Sequence, residues 1–240
     1  DSFTYTVTDG SKTDTATVTI NVDSVPDVGQ QAQAQVDEDL LPGGVEGGVG
    51  DIDSGAGTVT DVFNGTILFD STDIVSIDFS TVDADPASFT SGGETVTYTW
   101  DDGSKTLTAT TDITDTKVFT LQVTNAATGA YTLTLLAAVD HVTVNTEDDI
   151  TFDLGFTVTD SNGDSDTGTL PVLIDDDSPF ANRITDGVIA NEAITLNGVL
   201  DVDFGGDGGF FDLSSNIGNE PAGLTYSVIN NPDGSSELTA

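Results

Sequence analysis

Oxygen ligands for a hard cation are the chemistry this sequence offers in quantity. The stretch Asp160-Ser161-Asn162-Gly163-Asp164-Ser165-Asp166 sets side-chain oxygens at alternate positions, on Asp160, Asn162, Asp164 and Asp166. The spacing is like the start of an EF-hand loop, but Gly163 stands fourth instead of sixth and Pro171 stands where the bidentate Glu would be. It is therefore not an EF-hand. Two readings stand beside each other: a Ca²⁺-binding hairpin turn, or an ordinary solvated Asp/Asn/Gly turn. A second run, Asp175-Asp176-Asp177, closes the strand that follows. Adjacent carboxylates at a strand end repel unless a cation neutralises them, so this run points to Ca²⁺. Asp23 and Asp27 occupy the comparable place near the start of the chain. Glu38 or Asp39 are the expected co-ligands at that first junction, and Glu192 at the second.

The composition points the same way. Four Lys and Arg against 42 Asp and Glu give a formal charge of −38 over 240 residues. Nucleic acid and anionic membrane surfaces are excluded as partners, since both need basic residues to neutralise phosphate. A chain this acidic repels itself when compact, and divalent cations are the simplest remedy. There is no Cys and a single His. Zinc and copper sites favour those residues, whereas Ca²⁺ takes the carboxylate and carbonyl oxygens that abound here. No apolar run reaches membrane-spanning length, so no membrane insertion is expected.

The elements that must position these acids read as strands. Phe152, Leu154, Phe156 and Val158 alternate with polar or small residues, and Leu170, Val172 and Ile174 return in phase after the acidic turn. An earlier passage has the same form: Tyr5-Thr-Val-Thr-Asp9 matches Phe156-Thr-Val-Thr-Asp160, and each is followed by a return strand and an acidic, Pro-terminated linker. The repeat divides the chain into residues 1–27, the closing hairpin of one unit; 28–179, a whole unit; and 180–240, the start of a third. Read so, the sequence is a piece of a longer polypeptide. Within the central unit, residues 28–35 read as a linker or first edge strand, and 43–58 form a long Gly-rich loop. Strands are expected over 62–69 and 74–79, with a hairpin at 95–111 across Asp101-Asp102-Gly103-Ser104. Another spans 119–135, with Gly129 supplying a positive-φ position. No helical periodicity occurs. The fold class is all-β, an antiparallel β-sandwich repeated in tandem.

The remaining motifs carry less. Gly205-Gly206-Asp207-Gly208-Gly209 is similar to a calcium-roll repeat, but it occurs once. Asn64-Gly65-Thr66 is a formal glycosylation sequon. His141 lacks a Cys or second His and reads as a structural histidine at a strand end. Tyr98, Trp100 and Tyr131 could line a sugar or peptide site, but aromatics at strand spacing more often fill a core. The sequence has no H-E-x-x-H, no G-x-S-x-G, no phosphate-cradling loop and no Cys nucleophile, so no catalysis is expected.

Three stretches together resemble one family: Val36-Asp-Glu-Asp-Leu-Leu-Pro-Gly-Gly44; Val139-Asp-His141 with Asn145-Thr-Glu-Asp148; and Phe156-Thr-Val-Thr-Asp160 through Asp175-Asp-Asp-Ser-Pro179. It is the tandem β-sandwich repeat, Ig-like or cadherin-like, of giant RTX adhesins exported by type I secretion in Gram-negative bacteria. The resemblance covers about residues 28–179, and residues 1–27 and 180–240 are similar to neighbouring repeats. It implies an extracellular, surface-anchored stalk that stiffens on binding Ca²⁺ and serves cell adhesion and biofilm formation. It further implies a monomer whose partners are the adjacent repeats of the same chain. Asp23 and Asp175 to Asp177 then fall at inter-repeat linkers. The alternative is a module of the same adhesin that binds carbohydrate or peptide through the 43–58 loop and the nearby aromatics.

Overall fold

The computed structural model describes residues 1–20, 25–45, 62–80, 89–141, 148–177, 179–182, 199–206, 209–219, 223, 225–232 and 235–239. Among them the chain is all-β, broken only by 3-10 turns. A first hairpin joins β1 (Ser2–Thr8) to β2 (Thr13–Thr19). Its turn has Gly10 at φ +93°, with the Asp9 carboxylate accepting from the Ser11 and Lys12 amides. Next come β3 (Ala34–Asp37), β4 (Val62–Thr66), β5 (Ile74–Asp78), β6 (Thr90–Ser91), β7 (Glu94–Asp101) and β8 (Thr106–Thr111). They are followed by β9 (Lys117–Asn125), β10 (Ala130–Leu135), β11 (Ile150–Asp160) and β12 (Ser165–Asp175). Three short pieces, β13 (Phe180–Ala181), β14 (Val202–Asp203) and the hairpin β15 (Ser227–Asn230) with β16 (Ser236–Thr239), complete the order.

The central strands form two sheets. One has six strands in the order β4-β10-β9-β8-β7-β6, and the other has four in the order β3-β12-β11-β5. The alternation read from the sequence becomes burial: along β11, Phe152, Leu154, Phe156 and Val158 point inward, while Asp153 is exposed. Side chains from both sheets meet in one core. Phe119 of β9 stacks on Phe152 of β11 at 5.8 Å, and Phe79 lies 5.5 Å from Phe156 and 5.9 Å from Trp100. The fully buried Phe79, Phe119 and Phe156 each contribute about 1.5–3 kcal/mol. Tyr131 is buried, and Tyr98 and Trp100 pack against the same core, so these aromatics are structural. Gly129 closes the β9–β10 connection at φ +74°, in the left-handed region that favours glycine. Asn64 of the sequon lies within β4 and accepts from the Thr132 hydroxyl, and its neighbour Gly65 leaves room for the Tyr131 ring.

One expectation changes. The pairing is not antiparallel throughout: β3 runs parallel to β12, with Ala34 opposite Val172 and Asp37 opposite Asp175. For residues 28–35, read as a linker or first edge strand, the second alternative holds at the end of the segment, where Ala34 and Gln35 enter β3 at the edge of the four-stranded sheet. Val28 bridges Phe69, and Gln31 is buried, donating to the Gly29 and Leu68 carbonyls while accepting from the Leu68 amide. An amide side chain that makes these bonds does the work of a missing strand, which is why a polar run is compatible with burial.

Candidate functional site

Asp166 is the second residue of β12 and Asp175 ends it, so nine residues of strand hold the two acidic groups roughly 30 Å apart. They lie at opposite poles of the four-stranded sheet.

At the first pole, the Asp160 Oδ1 accepts from the amides of Asn162, Gly163 and Asp164 at 2.9–3.1 Å. This is the hydrogen bonding of an ordinary Asx-type turn, with Gly163 at φ +97°. The Asp160 Oδ2 is buried without a hydrogen-bond partner. Asn162 and Asp164 are exposed, and Asp166 turns away to accept from the Val28 amide at 2.8 Å, which lowers its pKa. Asp27 is exposed, and its carbonyl accepts from Asp70. These acids do not converge as a three-carboxylate group. Asp23 and Glu192 lie outside the described residues, as does all of the 43–58 loop beyond Val45.

The second pole is different. The parallel strand β3 carries Asp37, Glu38 and Asp39 away from Asp27 and sets them beside Asp175, Asp176 and Asp177. Glu38 and Asp39, expected as co-ligands of the Asp23 and Asp27 group, lie with Asp175 to Asp177 and away from Asp27. Asp37, Glu38, Asp175, Asp176 and Asp177 are all buried. Asp37 caps the 3-10 turn Glu38–Leu40 by accepting from the Asp39 amide at 2.7 Å, and that cap aims the Glu38 side chain inward. Glu38 is fully buried; its Oε1 accepts from the Val139 amide at 2.8 Å, and its Oε2 has no hydrogen-bond partner. Asp177 accepts through Oδ2 from the amides of Val45 (3.1 Å) and Gly206 (2.6 Å), while its buried Oδ1 has none. Among the described residues the one ion pair made by a lysine, Lys105 with Asp102, is elsewhere at the surface.

His141, read from sequence as a structural residue, sits within this cluster. Its Nε2 lies 3.4 Å from Glu38 Oε1 and 3.4 Å from Asp176 Oδ1, and its Nδ1 is 2.6 Å from the Asp148 carbonyl. The Asp148 amide in turn donates to Asp176 Oδ2 at 3.1 Å. Glu38, His141 and Asp176 form the group of three potential metal ligands that the described residues bring within 4.8 Å. Burial raises the Glu38 pKa to about 7, against the opposing pull of His141 and the Val139 amide. For His141 burial acts downward, but the hydrogen bond and charge of Glu38 and the charge of Asp176 prevail and raise it to about 9. Burial also raises Asp177, opposed by its two amide donors. In both carboxylates burial outweighs the amide donors and the His141 charge.

The downstream segment closes this pole. Gly205, at φ +81°, lies against the Asp177 carboxylate, where a Cβ would collide with both oxygens, and Gly206 donates to it. The Gly-Gly-Asp-Gly-Gly run thus bears on the acidic cluster through its first two glycines, a role its isolated occurrence did not suggest. Asp37, His141 and these glycines are what the sequence reading missed. Glu38 and His141 are 103 residues apart, so no local spacing could reveal them. What the described residues define is an all-β chain with a buried cluster of carboxylates, two of them beside one imidazole. No family model, curated protein or solved structure matches it.

Proposed function

We propose that this chain is a Ca²⁺-stiffened extender from an extracellular bacterial adhesin, built of β-sandwich repeats in tandem and without catalytic activity. In this reading residues 28–179 are the complete repeat, residues 1–27 close the preceding one, and residues 180–240 begin the next. The observation that carries it is the convergence of Asp37, Glu38, Asp175, Asp176 and Asp177 in buried positions at one pole. Residues 205 and 206, from beyond the Pro179 linker, close onto Asp177 there. Burying several carboxylates is costly unless they are paired or coordinate a metal. Oxygen-only ligands favour Ca²⁺, with Asp37, Asp39, Asp175 and Asp177 supplying the carboxylates and neighbouring carbonyls or water the rest. An ion bound where two units meet ties them together, so its binding stiffens the joint.

The resemblance to RTX adhesin repeats supplies the extracellular setting, and the neighbouring repeats are the partners. The carbohydrate- or peptide-binding alternative loses its aromatic platform, because Tyr131 is 3% exposed and Tyr98 and Trp100 face the core. Thermal unfolding and small-angle scattering with EDTA and with Ca²⁺ test the proposal. A higher melting temperature and a more extended particle in Ca²⁺ are expected; no change in either sinks it.

A further inference from the structure

We propose that Glu38, His141 and Asp176 form a second cation site, distinct from the Ca²⁺ ligands at the same pole, that selects a first-row transition-metal dication such as Zn²⁺. Three observations support it independently of the net acidity. The first is spacing. The Nε2 of His141 is 3.4 Å from an oxygen of each carboxylate, long for hydrogen bonds to an imidazole. That length is the edge of a coordination tetrahedron, roughly 3.3–3.4 Å for metal–ligand bonds of about 2.0–2.1 Å.

The second observation is how the ligands are held. The Nδ1 of His141 donates to the Asp148 carbonyl at 2.6 Å, which directs Nε2 at the two carboxylates, where a metal ion would take the place of its proton. The Val139 amide fixes Glu38 Oε1, and the Asp148 amide fixes Asp176 Oδ2 while leaving Oδ1 toward the ring. Each of the three side chains is thus oriented by a backbone group, the arrangement that supports metal-ligating histidines. Thirdly, the fully buried Glu38 keeps one oxygen, Oε2, without a partner, available to complete the coordination.

Ligand type decides the ion. A spacing near 3.4 Å would also suit Ca²⁺, but Ca²⁺ takes oxygen, whereas an imidazole nitrogen with two carboxylates suits Zn²⁺ and its neighbours. The side chains of His141, Glu38 and Asp176 are 4%, 0% and 6% exposed. Such closure to solvent belongs to a structural ion rather than one that activates water. Bound there, the ion would join the turn after β3, the segment between β10 and β11, and the end of β12.

The test exploits the fact that the chain has one histidine. The chelator-treated 240-residue protein is titrated with Zn²⁺ in millimolar Ca²⁺, following the imidazole resonances by NMR. Co²⁺ serves as a paramagnetic probe. Saturation at one equivalent, with the Nε2 signal displaced by Zn²⁺ and hyperfine-shifted by Co²⁺, is the expected result. His141→Gln should lower Zn²⁺ affinity on the order of 100-fold, while leaving any Ca²⁺-induced rise in melting temperature in place. Asp177→Asn should do the reverse. An imidazole that ignores both metals, or that moves fully with Ca²⁺ and no further with Zn²⁺, overturns the assignment. The wild-type spectra decide this even if a variant fails to fold. A Ca²⁺ response without a Zn²⁺ response refutes this site alone, and the opposite pattern refutes the Ca²⁺ reading alone.

Discussion

Replacing Asp177 by Asn should stabilise the metal-free protein and destabilise it relative to wild type in Ca²⁺. The side chain is 4% exposed, its Oδ1 has no hydrogen-bond partner, and the charge of Asp203 pushes its pKa further in the direction burial has already set. Like charges in such a site repel by up to about 4 kcal/mol at an effective dielectric near 20, and the His141 charge offsets part of this. Asparagine removes that repulsion and part of the desolvation cost. Against this, the bonds from Val45 and Gly206 become neutral, a loss of about 1 kcal/mol each. The balance favours Asn by about 1 kcal/mol, or a melting temperature 2–4 °C higher in EDTA for a chain of about this size. In saturating Ca²⁺ the order should invert, because a ligand carboxylate is missing and the mass-action stabilisation by the ion shrinks. Differential scanning calorimetry of both proteins in both buffers gives the four values required. If Asn lowers the melting temperature equally in EDTA and in Ca²⁺, Asp177 is simply an anchor for two amides, and the cation argument fails for it.

The metal-free protein should also lose stability as pH rises from 4.5 to 9. Both shifted groups have folded pKa values above their ordinary ones. Glu38 contributes fully below 4.5 and its share is lost as pH passes about 7; His141 contributes fully below 6.5 and its share is lost through about 9. Urea midpoints measured in EDTA across this range check the sign, and a flat or rising profile contradicts it. Gly129→Ala should destabilise by about 1–3 kcal/mol with or without Ca²⁺, because it combines a left-handed φ with a Cβ set against the Ile67 carbonyl. Denaturant unfolding in both buffers shows whether the loss is the same in each. Gly205→Ala should lower stability in both buffers and by more in Ca²⁺, because its left-handed φ strains any side chain and its Cβ also strikes the Asp177 carboxylate. Limited proteolysis should then cut between residues 179 and 206 faster in Ca²⁺ than it does in wild type.

The parts of the fold legible in sequence are those whose information is local. β11 and β12 follow from alternation across a short turn, and Gly129 from the positive φ that the β9–β10 connection demands. The placement of Glu38 was not legible, since it depends on the direction of β3. A four-residue strand preceded by VGQQAQAQ carries no signal of its direction; the buried Gln31 and the bridge from Val28 to Phe69 bring it into the sheet. Once β3 runs parallel to β12, all the acids of both segments reach one pole, whereas an antiparallel strand would have reversed their order. The same 103-residue separation kept His141 apart from Glu38 in the sequence.

Asp160 marks the limit of composition as a guide. Its turn has the more regular ligand spacing, yet three backbone amides already bind its Oδ1, while the plain run Asp175-Asp176-Asp177 ends in the buried cluster. Oxygen spacing along a chain tells which residues can turn it. Ion binding depends on which oxygens are buried together after backbone donors have been shared out, and here that condition is met by strands joined across the sheet. A charge of −38 would by itself be satisfied by diffuse counterions. The proposed ions would bind where five carboxylates are buried at one end of the sheet, with one imidazole and the first two glycines of the downstream run against them.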